Sequence, residues 1–322
     1  MAEITLKNEN EYEDLLALWS DLESGLGVVL GSPHSIAEFE QRIWQYDRWM
    51  QGLLERDSDV GLYLLFQLAI HSSVGYSASH ALICSVLCHL IAHELKLNAD
   101  ERNSLSHAAL TMNIGMTALQ DQLARQAEKL SPLQQQAVLT HPVRGHELLI
   151  QLGVTDPLWQ GIVIGHHDAN HDELPLRSLE PLKRLVRILR LVDRYAAMIS
   201  PRQYREGRST TESVRSILNT GSITNDEVGR ALVTAVGVCP PGTYVRLEDQ
   251  TVAVVVRRSK EAKLPHLAVV TDAKGSQLMQ PHLHRTEQGP PKIKSALSTS
   301  QVRLQPNHHV ILQLGAYASR LS

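Results

Sequence analysis

From residue 11 to residue 236 the apolar residues recur at helical spacing and never settle into alternation, which restricts this stretch to an all-helical body. Leu15, Leu16, Leu18, Trp19 and Leu22 form the first stripe. Ser32-Pro33-His34-Ser35 interrupts the pattern, and Ser35 with Glu38 three residues on predicts a capping box opening a helix over 36–54. A third helix is expected over 59–71, and residues 77–95 are densely apolar with histidines set among them. Further helices are expected over 102–112, 120–127, 132–139, 146–152, 157–166, 182–199, 211–218 and 227–236. His141-Pro142 is read as the start of a helix, because proline suits the first turn.

The pattern changes after Val236. Pro240-Pro241-Gly242 signals a turn, and the β-branched runs 243–247 and 251–257 predict a hairpin. Residues 266–270 and 310–314 are expected to add strands, and the polar stretch near 286–300 to be a flexible loop. The expected organisation is an N-terminal helical region over 1–60, a helical domain over 61–236 and a small β-rich subdomain over 237–322.

Composition narrows the function classes. A formal charge of -3 gives no global electrostatic reason to expect DNA, RNA or an anionic membrane as partner. No apolar run approaches the roughly 20 residues needed to span a bilayer, and the start lacks a basic leader, so a cytoplasmic location is expected. Three cysteines, Cys84, Cys88 and Cys239, suit a reducing compartment. Trp19, Trp44 and Trp49 lie on helical stripes and are expected in the core, and the N-terminal helices are compatible with a homodimer.

Histidine is over-used, with 16 residues, several of them grouped. A metal site for phosphoester hydrolysis needs neutral imidazoles and carboxylates converging on a cavity with open positions. Two ions roughly 3.5–4 Å apart also need an anion between them. The candidates are His80, His141, the pair His166-His167 and Asp193. Each has a plainer reading. A single histidine is commonly a hydrogen-bonded core residue, whereas Asp193 on the apolar side of a helix requires a cation, a metal or several donors; Arg190 and Arg194 are two available partners. Neighbouring helical residues point about 100° apart, so His166 and His167 share one ion only where the helix ends or two metals lie side by side. His171 and Asp172 read as a solvated loop. Cys84 and Cys88 are soft donors one turn apart, with His80 a turn earlier, but they sit in an apolar helix without a CxxC pattern, and buried structural thiols are the preferred reading.

Taken in order, Tyr76-Ser-Ala-Ser-His80, Ala108-Ala-Leu-Thr-Met-Asn-Ile-Gly-Met116, Leu130-Ser-Pro with His141-Pro-Val-Arg-Gly145, Gly165-His-His-Asp168 and Leu191-Val-Asp193-Arg-Tyr resemble the HD-GYP branch of the HD-domain phosphohydrolases, which hydrolyse cyclic di-GMP. The resemblance covers about residues 61–236 and implies a mainly α, HD-type helical bundle with an N-terminal helical extension and a small C-terminal β subdomain. It places metal ligands at His80, His141, His166, His167 and Asp193, and phosphate-binding cations at Arg202 and Arg205. It also locates departures. Met112 and Asn113 stand where the family has His-Asp, Met116 stands where it has lysine, and Asp168-Ala-Asn-His-Asp-Glu-Leu-Pro175 replaces the Gly-Tyr-Pro loop. Asparagine supplies no bridging charge, and methionine sulfur is too soft for the ions of phosphoryl chemistry. The expected cofactor is one divalent ion (Mn, Fe, Zn or Mg) or none. The expected partner is a cyclic dinucleotide or a signalling protein. Three functions stay open at this point: a non-hydrolytic signalling module, a phosphodiesterase with a reduced site, and a structural protein with a vestigial cavity.

Overall fold

The computed structural model describes residues 9–71, 74–169, 174–200, 209–219, 227–298, 301–302, 304 and 307–320. The helical body runs through α1 (Glu9–Gly31), α2 (Phe39–Arg56), α3 (Ser58–His71), α4 (Tyr76–Glu94), α5 (Ala99–Thr111), α6 (Thr117–Arg125), α7 (Pro132–Gln151), α8 (Pro157–Gly165), α9 (Pro181–Ile199), α10 (Thr210–Asn219) and α11 (Glu227–Val236). Strands β1 (Tyr244–Leu247), β2 (Val252–Arg257), β3 (His266–Thr271), β4 (Gln277–Arg285) and β5 (Ile293–Ala296) follow, and α12 (His308–Ser319) closes the chain.

The axis of the body is α4. It is apolar on every side, a composition that a helix keeps only by burial, and α1, α3, α5, α6, α9 and α11 surround it. Its 19 residues meet the length and hydropathy of a membrane span, a match the sequence reading missed; 78% of its most apolar window is buried inside the fold, as befits the core helix of a globular body.

Local signals fix several boundaries. Asn98 accepts from the Glu101 amide to open α5, Asp156 accepts from the amides of Leu158 and Trp159 to open α8, and Ser131 with Gln134 forms a full capping box at α7. The capping box expected at Ser35 and Glu38 does not form. Pro33 starts a 3-10 turn that contains Ser35, and the helix begins at Phe39 after Glu38 at φ 52°. The break expected around His141-Pro142 is likewise absent: one helix runs from Pro132 to Gln151 with Pro142 inside it.

The five strands form one antiparallel sheet in the order β4-β3-β2-β1-β5, with the expected hairpin at its centre. The stretch near 286–300, expected to be a loop, contains a 3-10 turn at Thr286–Gln288 and the edge strand β5, which pairs with β1. The strand expected over 310–314 is instead the middle of α12. Asn307 caps that helix by accepting from the amides of His309 and Val310, and Ile311, Leu312, Leu314, Gly315 and Ala318 bury one face at helical spacing. Strand β4 escaped the sequence reading because it is a polar, largely accessible edge.

One apolar core extends from Leu15 in α1 to Leu314 in α12, and a smaller one, built on Val245, Leu247, Ala253, Val255, Leu267 and Val269, occupies a second region of the sheet. The bundle and the sheet are joined by Arg257, which meets Asp57 and lies 3.2 Å from Asp59, and by Arg258, whose Nε lies 2.5 Å from Asp59. Trp19 is fully buried as expected and Trp49 half-buried, but Trp44 is 38% exposed, because it sits at the rim of a cavity between α2 and α5.

Candidate metal centre

Two groups of donors converge on the interior between α4, α7, α8 and α9. The first is His141, His166 and His167, and the second is His80, Cys84 and Asp193; within each group the ligand atoms lie within 4.8 Å of one another.

The first group is built by two local accidents of helix geometry. Pro142 has no amide hydrogen, so the carbonyl four residues back, that of Val138, loses its helical donor. His141 Nδ1 takes that carbonyl at 2.6 Å. Val163 lies in the last turn of α8, where carbonyls have no intrahelical donor, and His166 Nδ1 takes its oxygen at 2.7 Å. A carbonyl only accepts, so each Nδ1 carries the ring hydrogen and each Nε2 presents a lone pair. Those two Nε2 atoms face each other at 3.1 Å. Two lone pairs at that distance repel unless a cation lies between them. Two ligands of one ion, each about 2.0–2.1 Å from it, stand roughly 3.0–3.4 Å apart, so the spacing suits a shared metal.

Because α8 ends at Gly165, His166 and His167 escape the 100° divergence of a continuing helix, and the His167 ring lies 4.1 Å from that of His166 and 5.1 Å from that of His141. Burial holds the His166 imidazole down at about 3, with the field of His167 adding to the effect, and burial lowers His141 as well. Neutral imidazole is the form that binds metal. His141 and His166 are fully buried, whereas His167 is exposed and supplies the open side.

In the second group, His80 Nε2 lies 2.8 Å from Asp193 Oδ1 and 3.6 Å from Cys84 Sγ. His80 is thus a partner of Asp193. Burial would raise the Asp193 carboxyl, but the hydrogen bond and charge of His80 outweigh it, with help from His166 and His167, and bring it down to about 2. The Tyr76 ring covers that of His80 at 5.4 Å and 15°. Burial pushes the Cys84 thiol well up.

Met112 and Asn113 follow directly on α5. They line a narrow crevice with Ser77 and Ala81 of α4, on either side of His80 in the chain. Met112 is turned into the apolar core at 1% exposure, and Asn113 leads into a 3-10 turn, Ile114–Met116, without a side-chain capping bond. Gly115 in that turn lies against α7: a Cβ there would stand 2.7 Å from the His141 carbonyl oxygen and the Gly145 amide nitrogen. Arg202, Arg205, His171 and Asp172 lie outside the described residues. The sequence reading missed the roles of Val138 and Val163; a proline directly after a histidine inside an apolar helical stripe was the available signal for the first.

Residues 65–222 match the model of the HD-domain family. The chain is similar over that stretch to HD domains. It is related to the HD domains of HD-GYP proteins: over 214 residues it is 27% identical to cyclic di-GMP phosphodiesterase PA4108 of Pseudomonas aeruginosa, covering 66% of this chain and 52% of that protein, so it spans about half of that relative's length. Among solved structures, Bd1817, an HDG"Y"P protein from Bdellovibrio bacteriovorus, superposes with a TM-score of 0.52 at 15% identity over 72% of this chain and 73% of that one, which shows a shared fold. The matched residues therefore include both donor groups and the Met112-Asn113 pair.

Proposed function

We propose that this HD domain is a signalling module that holds one divalent ion on His141, His166 and His167 and binds a cyclic dinucleotide such as cyclic di-GMP without hydrolysing it. The observation that carries the ion is the pair of Nε2 lone pairs 3.1 Å apart, each fixed by a main-chain carbonyl. The ion, when bound, supplies an electrophilic contact for a phosphate oxygen. Asp193, held ionised by His80, contributes negative charge beside it. Arg202 and Arg205 are assigned to the ligand's phosphates on the family resemblance.

Loss of hydrolysis follows from donor chemistry. Asn113 brings no carboxylate to bridge two ions, Met112 points into the core, and Met116 brings no cation. A second reading, a single-ion phosphodiesterase, draws on the three-histidine set with an accessible side, which is a donor set that also serves catalytic metals.

The test is calorimetric titration of the purified chain with cyclic di-GMP, with and without manganese, alongside a turnover assay. Manganese-dependent binding that weakens in Arg202→Ala, with no turnover, is expected. Turnover that disappears in His167→Ala would overturn the reading.

A further inference from the structure

We infer that His80, Cys84 and Asp193 form a second, softer metal subsite in which the Cys84 sulfur is a ligand, and that this subsite prefers zinc, cobalt or iron to magnesium or manganese. The inference rests on the metal-binding part of the reading above and extends it to a donor that reading does not use. His80 and Cys84 are one turn apart on α4 and so share a face, and Asp193 reaches them from α9.

The spacing is informative. A tetrahedral ion about 2.0–2.1 Å from a histidine nitrogen and about 2.3 Å from a cysteine sulfur sets the two donors roughly 3.5–3.6 Å apart. His80 Nε2 and Cys84 Sγ are 3.6 Å apart. The 2.8 Å between His80 Nε2 and Asp193 Oδ1 is that of a hydrogen bond and must open by roughly 0.5 Å for both atoms to bind one ion. Asp193 keeps 18% of its side chain accessible, which leaves it room to withdraw.

Charge supplies the second argument. With asparagine at 113, Asp193 is the only carboxylate in the two donor groups, so a second divalent ion would be left short of negative charge. A thiolate restores one unit. On binding, the Cys84 S–H bond and the His80 Nε2–H bond shared with Asp193 both break, sulfur and nitrogen donate their electron pairs to the ion, and the two protons pass to solvent, so that total charge is conserved. Thiolate donors select soft or borderline metals, whereas carboxylate and water suit magnesium and manganese.

The plain alternative is that Cys84 is a packing thiol like Cys88, which lies one turn further along the same buried helix and serves as the control. Titration of the full chain with cobalt(II) separates the two, because sulfur bound to cobalt gives an intense near-ultraviolet charge-transfer band and imidazole gives only weak visible bands. The band is expected in the wild-type chain and in Cys88→Ala. It should vanish in Cys84→Ala, with the cobalt stoichiometry falling by half and the visible bands of the histidine trio retained. Wild-type chain that binds cobalt without the near-ultraviolet band overturns the inference while leaving the trio intact, and this arm needs no variant to fold. Persistence of the band in Cys84→Ala overturns it equally, and absence of all cobalt absorbance sinks both this inference and the metal-binding reading beneath it.

Discussion

His141 Nδ1 donates to the Val138 carbonyl at 2.6 Å, in the place that the amide of residue 142 would occupy in an unbroken helix. The proline therefore shapes the candidate metal centre without belonging to its donor set. Pro142→Ala restores an amide hydrogen that competes for the Val138 oxygen and frees the imidazole to rotate. The expected result is a higher thermal midpoint for the metal-free chain together with a loss of about 10-fold in zinc affinity, measured by competition with a chromophoric chelator. Unchanged affinity would show that the carbonyl does not orient the ring.

Acid should weaken the metal-free protein through the same histidines. His166 binds its proton in the fold only near about 3, so between that value and the ordinary histidine range the unfolded chain binds more protons than the folded one. Stability is then fully present above the ordinary value and is lost as pH falls through the window. His141 and His89, also lowered mainly by burial, add to the slope. Urea denaturation of His166→Gln at stepped pH should show a dependence shallower by about 1.4 kcal/mol per pH unit. An unaltered slope would mean that His166 is protonated in the fold.

Returning the family's residue types to 112 and 113 should carry a penalty. Met112 is 1% exposed within the core, and an imidazole there is desolvated. Met112→His with Asn113→Asp is expected to lose roughly 1–3 kcal/mol in urea denaturation while raising manganese affinity, since it returns the carboxylate that the family resemblance puts at 113. Undiminished stability would show that the pocket at 112 still accommodates a polar ring.

The link between bundle and sheet makes its own prediction. Arg257 is 13% exposed and meets Asp57 and Asp59, while it also donates to the Gly315 carbonyl. Arg257→Ala leaves the half-buried Asp57 without its arginine, while Asp59 keeps Arg258, and should cost about 3 kcal/mol, read as a fall in thermal midpoint. A midpoint within error of wild type would assign the joining to apolar contacts alone.

Much of the fold was legible because helical periodicity is long-ranged and repeated. Even so, α7 was divided in two, since proline in the sequence looks like an end and only its surroundings allow it to be an interior residue. The misread α12 has the opposite cause. Val310-Ile311-Leu312 is a β-branched, apolar run, and the Asn307 cap and burial every three to four residues decided in favour of helix. At the candidate centre, His80, His141, His166, His167 and Asp193 were named from residue type and order, and the fold brings them into two close groups. Their division into two groups could not be read in this way, because it depends on which nitrogen each ring presents, and that is set by main-chain carbonyls, of which only that of Val138 has a sequence signal, the proline at 142.

The unbroken core described above has a practical consequence for anyone handling this protein. The family match ends at residues 65 and 222, yet Trp19, Leu22 and Leu26 on one side and Val254, Ile311 and Leu312 on the other belong to the same packed interior. A fragment cut at those limits would expose the flanks of α4 to water and behave as a sticky, partly ordered chain. Recombinant work on the centre calls for the intact polypeptide.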